Sequence, residues 1–495
     1  MADKTYALLG DLESVPAEYK SQVAQVKRVL EVFTMDPAFR DGYQANPEGA
    51  LASLGVDLAP ADVAPLVDPD QARRARELLA VDPEQVPPAV RRHWAFVAEK
   101  LNFREAVRQA GFAASPGLAK WRQRQLNRAC GELGTGRSSA IVHAPFAVEL
   151  SKGCTVGCWF CGVAAPKYDE GFSYTAQNAA LWRGCLTALH NVFGTAATQG
   201  FLYWATDPLD NPDYEAFRED FFDILKYAPQ TTTAQGPKDL PRTRALLERS
   251  AEMGIAVDRF SIIALNHLRR LHEEFTPEEV LRVEFVPQNK ESDQLKSRSG
   301  RALNFAEKRA GELVDEAESS TIACVTGFLI NMVDRRVRLI TPCNTSKRWP
   351  LGYWVLDEEH FDTAEEFERA LRRMIDRSVH PFLERDTPIR VRRDISLFSE
   401  DDSLVFEARG LRESVRVEPD CAGLLDLIAD GSLNAEHIAG ARRREADVPL
   451  AHTYALLGKI FDHGLLDEEP PPRSFEDVMR KPTPVQLGRR QPARD

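Results

Sequence analysis

An α/β fold with a largely parallel sheet is predicted for the middle of this chain, on three observations. Short β-branched or aromatic runs alternate with amphipathic stretches from about residue 146 to 343. The stretch between the first two runs sets Trp182, Cys185, Leu186, Leu189 and Phe193 on one helical face. A cluster of three cysteines follows the first run directly, where a ligand site sits in such folds.

The strands are read at 146–150, 201–205, 231–234, 260–264, 283–286 and 322–329. Six such units make an open or partial barrel, (β/α)6, whose site lies at the carboxyl ends of its strands. After the sixth run, Asp334-Arg335-Arg336 separates two strand-like segments as a hairpin turn does, which puts Thr341-Pro342-Cys343 at the end of the returning strand.

A helical unit precedes this core over 1–118 and is expected to stand as a small separate body. Val26, Val29, Leu30 and Phe33 recur at helical spacing, with turns at Asp36-Pro37 and Asn46-Pro47. A Pro-containing stretch, 81–88, leads into a further helix through Trp94, Val97 and Leu101. The core is taken as 119–385. Over 386–470 a strand at 404–407 is followed by helices through Leu424, Leu427 and Ile428 and through Tyr454, Leu457 and Phe461, a mixture resembling a winged helix. Residues 471–495, rich in Pro and Arg, read as a flexible tail.

Bulk properties narrow the function. With 495 residues the chain is expected to hold roughly three domains, at about 150 residues each. Its hydrophobic (43%) and charged (28%) fractions are those of a folded globular protein. A net charge of −12 argues against nucleic acid as a partner. The basic run Arg442 to Arg444, beside Glu445, is read as a solvated face. The amino terminus has no basic region followed by an apolar core, and no apolar run approaches the roughly 18 residues of a membrane span, so a cytoplasmic protein without a membrane partner is expected. Eight cysteines in so long a chain do not suggest a disulfide scaffold, and clustered ones are read as metal ligands.

The cluster reads Glu149-Leu-Ser-Lys-Gly-Cys154-Thr-Val-Gly-Cys158-Trp-Phe-Cys161-Gly162. Thiolates spaced four and three residues apart can wrap one iron-sulfur cluster and leave one of four irons open. Glycines inside and after the loop permit the tight turns this wrap needs. A zinc site is the alternative, but zinc takes four closed ligands and no nearby Cys or His completes the set.

C-x3-C-x2-C with an aromatic residue, here Phe160, before the last cysteine is similar to the signature of the radical S-adenosylmethionine superfamily. That resemblance implies a 4Fe-4S cluster on Cys154, Cys158 and Cys161, with S-adenosyl-L-methionine on the open iron and Phe160 beside them. Tyr203-Trp204-Ala205-Thr206-Asp207-Pro208 stands where the superfamily has a Gly-Gly-Glu-Pro turn for the methionine amine. It departs from that pattern, but Thr206 and Asp207 keep oxygens able to accept from an ammonium group. Ser261 and Gln288 are placed to bond ribose or carboxylate, or else simply satisfy strand ends. Lys296, Arg298 and Arg301 suit a carboxylate or form a solvated loop, the second being preferred.

Within that superfamily the chain resembles the polytheonamide-type epimerases, which invert L-residues to D in ribosomally made peptides. The resemblance rests on 35–40 with Asn46-Pro47 and Leu54-Gly55, Trp121-Arg122-Gln123-Arg124-Gln125, the cysteine segment, and 341–353 from Thr-Pro-Cys to Leu-Gly-Tyr. Oxidative radical enzymes commonly hold extra clusters on further cysteines. Here Cys130, Cys185, Cys324, Cys343 and Cys421 are isolated in sequence, which suits a redox-neutral outcome. The resemblance implies Cys343 as the thiol that returns a hydrogen atom. Cys185 on its helix and Cys324 within a strand read as core residues, and Cys130 and Cys421 fall outside the barrel.

The resemblance further implies a precursor peptide and an external one-electron donor of flavodoxin or ferredoxin type as partners. Residues 24–65 resemble a leader-type helical domain, and the winged-helix-like unit resembles peptide-recognition domains that add a strand at a sheet edge. Glu418, Asp420, Asp426 and Asp430 argue against that unit binding DNA. Two rivals stay open: another radical outcome, such as splicing, crosslinking or small-metabolite rearrangement, and a non-catalytic iron-sulfur binding or sensing protein.

Overall fold

The computed structural model describes residues 4–112, 115–292, 298–310, 320–429 and 431–471. Lys296, Asp430 and the tail beyond 471 lie outside them.

The amino-terminal helices are α1 (Ala17–Met35), α2 (Pro37–Ala45), α3 (Pro47–Ser53), α4 (Pro60–Val67), α5 (Pro69–Val81) and α6 (Pro88–Ala110). The Asp-Pro and Asn-Pro turns break the chain because each polar residue caps the helix that follows. Asp36 accepts from Ala38 N and Asn46 from Gly49 N, with proline at the first helical position. The expected separateness of this unit is corrected. Val32 and Met35 of α1 share a core with Phe260, Ile262, Leu268 and Phe285 of the middle region. Arg28 also donates to the carbonyl of Phe275, and Lys27 to that of Val280. The apolar face of α1 is thus buried against the parallel strands. In α6 the buried residues are Ala89, Val90, His93 and Phe96, and Leu101 is 50% exposed.

After α7 (Pro116–Leu133) and α8 (Thr135–Ser138), the mixed α/β region begins with β1 (Ala144–Glu149), which is buried on both faces. A short pair follows, β2 (Ser151–Lys152) with β3 (Glu170–Gly171), then α9 (Ala176–Phe193), α10 (Tyr214–Leu225), β4 (Thr232–Thr233), α11 (Leu240–Glu252), β5 (Asp258–Ile262), α12 (Leu265–Glu274), β6 (Val283–Pro287) and α13 (Gly300–Ala310). Then come β7 (Val325–Asn331), β8 (Arg336–Pro342), β9 (Tyr353–His360) and α14 (Ala364–Ser378).

Apart from the β2–β3 pair, these strands form two sheets. One has the order β1-β7-β8-β9, parallel between β1 and β7 and antiparallel beyond. The other, β4-β5-β6, is wholly parallel. The strand expected at 201–205 is corrected to a single parallel bridge, Phe201 to Ala147. Phe201 bonds the backbone on both sides of that residue, then the chain turns away toward a 3-10 segment at Pro208–Asp210, so no ladder extends. The last run begins at Val325, which places Cys324 just before the strand instead of within it. The main core packs Phe146, Val148, Phe328 and Ile330 of the first sheet against Trp182, Leu186 and Phe193 of α9 and Phe367 and Leu371 of α14. Cys185 is buried there.

The carboxyl-terminal unit is an antiparallel sheet of β10 (Ser396–Glu400), β11 (Ser403–Ala408) and β12 (Leu411–Arg416), then α15 (Cys421–Ala429), α16 (Ala435–Glu445) and α17 (Leu450–Asp462). The reading of Arg442 as solvated is corrected. It is buried on α16, donating to Pro419 O and, at 3.3 Å, to Thr453 Oγ1, while Arg443 and Arg444 remain exposed.

Helix α7 ties the units together through three buried arginines. Arg122 donates to the carbonyls of Thr326 and, at 2.7 Å, His143, and burial pushes its pKa down to about 9. Arg124 grips both carboxylate oxygens of Glu468 at 2.9 and 2.8 Å. Arg128 bonds Pro342 O and Thr341 Oγ1 and lies 3.8 Å over the ring of Trp354. Replacing Arg122 by alanine orphans the buried carbonyls of Thr326 on β7 and His143 just before β1, so a loss of about 3 kcal/mol is expected. A denaturant titration showing less than ~0.5 kcal/mol would reject that role.

Candidate iron-sulfur and cofactor site

The cysteine loop leaves the carboxyl end of β1. It is closed at its base by β2 and β3 and by a bridge between Cys154 and Lys167. Gly157 takes φ 63°, the left-handed turn that brings Cys158 back toward Cys154. Gly162 packs where a Cβ would meet Ser299 and Ile322 at 2.6 and 2.7 Å, so the loop presses against the segment before α13. Two sulfurs accept backbone hydrogen bonds, Cys154 from Val156 N at 3.4 Å and Cys161 from Ala165 N at 3.3 Å. Phe160 meets Trp159 edge-on with 5.4 Å between ring centroids, and Trp159 in turn packs on Phe305.

The donor set suits a multi-iron cluster. Burial pushes Cys158 up to about 12, and the neighbouring Cys161 and Cys154 add to it, while burial takes Cys154 to about 11. A bound cation would favour their thiolate forms. Among the described residues no three His, Cys, Asp or Glu gather closely enough to hold one ion. A cubane takes one thiolate per iron, so its ligands stand apart. Ser299 Oγ, against Gly162 of the loop, is buried with no hydrogen-bond partner among the described residues, which fits a polar ligand there, and Gln288 Oε1, just past β6, is likewise unpartnered among them.

The other expected contacts fall in the turn before the 3-10 segment, on β5 and just past β6, with unequal freedom. Asp207 is buried and accepts from Thr233 Oγ1 at 2.6 Å, Ala234 N at 2.7 Å and Leu209 N at 3.1 Å. Burial, opposed by these bonds, raises its pKa to about 6. Its carboxylate thus already joins the 3-10 segment to β4. Thr206 is half-buried, its hydroxyl donating at 3.4 Å to Asp207 O. Ser261 is half-buried on β5, and Gln288 lies just past β6, its N donating to Ile262 O at 2.9 Å.

Three residues were missed by sequence reasoning. Asp210 accepts from Thr155 N and Oγ1 at 2.9 and 2.5 Å and also binds Gln235, so it moors the cysteine loop to the second sheet. Glu149 is buried at the end of β1, accepting from Ala205 N at 2.8 Å and Asn331 Nδ2 at 2.9 Å, and burial raises its pKa. A carboxylate inside an otherwise apolar strand was a legible signal. Arg301, read as part of a solvated loop, is corrected: it bonds Cys158 O at 2.9 Å and Ala165 O at 2.6 Å.

Cys343 is not gathered with the three cysteines. Because β8 runs antiparallel to β7, its carboxyl end lies beside Cys324 and Ala144, toward the amino end of β1. Its thiol is 1% exposed in a cluster with Trp349, Tyr353 and Trp354, and burial, aided by Glu132, holds it well above the usual thiol range. The backbone on either side is fixed from α7: Arg128 bonds Pro342 O, and Glu132 accepts from Asn344 N at 2.7 Å. Glu469 accepts from Trp349 Nε1 and Arg348 Nη1, both at 2.7 Å, laying the end of the carboxyl-terminal unit across this loop.

No helix among the described residues is long and apolar enough to cross a membrane. No family model matches the chain. Among solved structures, that of BtrN in complex with AdoMet and 2-DOIA is similar at a TM-score of 0.28 and 16% identity, over 39% of this chain and 72% of that one, a likeness too slight to carry an argument. In sequence, the chain is 34% identical over 463 residues to the uncharacterized protein y4wI of Sinorhizobium fredii (strain NBRC 101917 / NGR234), covering 91% of this chain and 88% of that protein. On that match the chain belongs to the family of y4wI.

Proposed function

We propose that this chain is a radical S-adenosylmethionine enzyme that inverts L-residues to D in a ribosomally made peptide, working in the cytoplasm. The observation that carries the radical chemistry is the loop after β1, with Cys154, Cys158 and Cys161 on one turn-rich wrap against Ser299, whose Oγ has no hydrogen-bond partner among the described residues. In this reading the parallel strands serve as a partial (β/α)6 barrel. Cys154, Cys158 and Cys161 would hold the cluster, which with S-adenosylmethionine would supply the hydrogen-abstracting radical chemistry at the peptide α-carbon. Thr206, Ser261 and Gln288 offer hydroxyl and amide groups to the cofactor. Asp207 holds its turn in place.

Cys343 is the proposed hydrogen donor. A donor of a hydrogen atom must keep its S–H, and burial beside Glu132 keeps this thiol protonated. The thiyl left after transfer regains its hydrogen from one electron of a flavodoxin or ferredoxin type donor and one proton. The carboxyl-terminal sheet has two edge strands, β10 and β12, suited to an added leader strand.

Incubation with reductant, cofactor and a precursor peptide encoded nearby, in heavy water, should place one deuterium on each inverted residue without other mass change. Loss of hydrogens from the product would reject epimerisation. The place of Cys343 after the end of β8 that pairs with the start of β7, while the cysteine loop leaves the other end of β1, favours a second reading, a radical outcome without a thiol donor. A crosslinked or shortened peptide in the same assay would select it.

A further inference from the structure

Resting on the radical reading, we propose that Arg301 is a positioning residue that latches the cysteine loop shut and places a fixed positive charge beside the cluster. The first turn of α13 is pressed onto the loop. Arg301 N donates to Cys161 O at 2.9 Å, its Nε to Cys158 O at 2.9 Å and its Nη1 to Ala165 O at 2.6 Å. One planar fork therefore binds carbonyls on both sides of Cys161, which a lysine has no geometry to do. Gly300, with φ 53°, lets this approach happen, because a Cβ there would run into the carbonyls of Gly162 and Cys161. Gly300 N donates to Pro350 O at 2.8 Å, so the latch is anchored on the segment that follows Cys343.

Two consequences follow from the guanidinium. Its charge-assisted bonds fix the loop before any metal arrives, so the three thiols meet iron without ordering the backbone first. Its charge stabilises the more negative, reduced form of the centre and so raises its reduction potential.

The test compares wild type, Arg301→Lys and Arg301→Gln. Hydrogen exchange is read on residues 154–165 in metal-free protein, and the midpoint potential by spectroscopic titration after anaerobic reconstitution. Exchange in β10 to β12 checks that the fold is kept. Both variants should lose about tenfold or more in loop protection, since two charge-assisted bonds are broken. Arg301→Gln should also shift the potential downward, while Arg301→Lys stays near wild type. Unchanged loop protection in both variants overturns the latch, and equal shifts in both overturn the role of charge. Wild-type protein that binds no iron would sink the radical reading instead, leaving the exchange comparison to decide the latch by itself.

Discussion

Substitution of Cys154, Cys158 and Cys161 together by alanine is expected to abolish iron binding and S-adenosylmethionine cleavage while leaving the helical content intact. None of the three side chains belongs to the apolar cores, and each is only half-buried on a loop, so their removal costs little packing. The loop backbone is held independently by the Asp210 bonds to Thr155 and by Arg301. The fold should survive, and the effect on iron should be total. Without its thiolates the loop offers only backbone, hydroxyl and aromatic groups, none of which replaces a cluster ligand. Iron analysis and visible absorbance after anaerobic reconstitution measure it. Cluster absorbance that persists in the triple variant would show that the ligands lie elsewhere.

What could be read from the sequence was what local pattern encodes. The cysteine spacing, the turns at Asp36-Pro37 and Asn46-Pro47, the amphipathic face of α9 and the apolar run of β1 all depend on neighbours within a turn or a strand. The strand at 201–205 was misread because composition says nothing of where a chain bends, and Phe201 keeps only one bridge before Asp207 is drawn toward β4. The buried arginines were illegible for a related reason. Arg122 and Arg442 look like solvent-seeking charges, yet carbonyls distant in sequence converge on each, from Thr326 and from Pro419. Arg301 was taken for a solvated residue because its partners precede it by a whole sheet, at Cys158 and Ala165. Cys343 does follow the end of the returning strand, as expected, but only the antiparallel pairing with β7 says which end of the sheet it occupies.

That placement makes Cys343→Ala the sharper of the two large-effect tests. If Cys343 returns the hydrogen, the variant should still cleave S-adenosylmethionine, because it leaves the loop after β1 untouched, while deuterium incorporation from heavy water falls to about one-hundredth or less, a barrier rise near 3 kcal/mol. Removing one sulfur from a packed cluster costs only about 1 kcal/mol of stability, too little to explain such a loss. A global defect is therefore distinguishable by the retained cofactor cleavage. The thiol is buried in one cluster with Trp349, which Glu469 holds through its indole nitrogen, so productive transfer requires this cluster to open when the peptide binds. Inversion that continues at wild-type rate in Cys343→Ala would move the donor to another thiol. Cys324, half-buried immediately before β7 at the same end of the sheet, is then the next candidate, and the same heavy-water assay on Cys324→Ala decides between them.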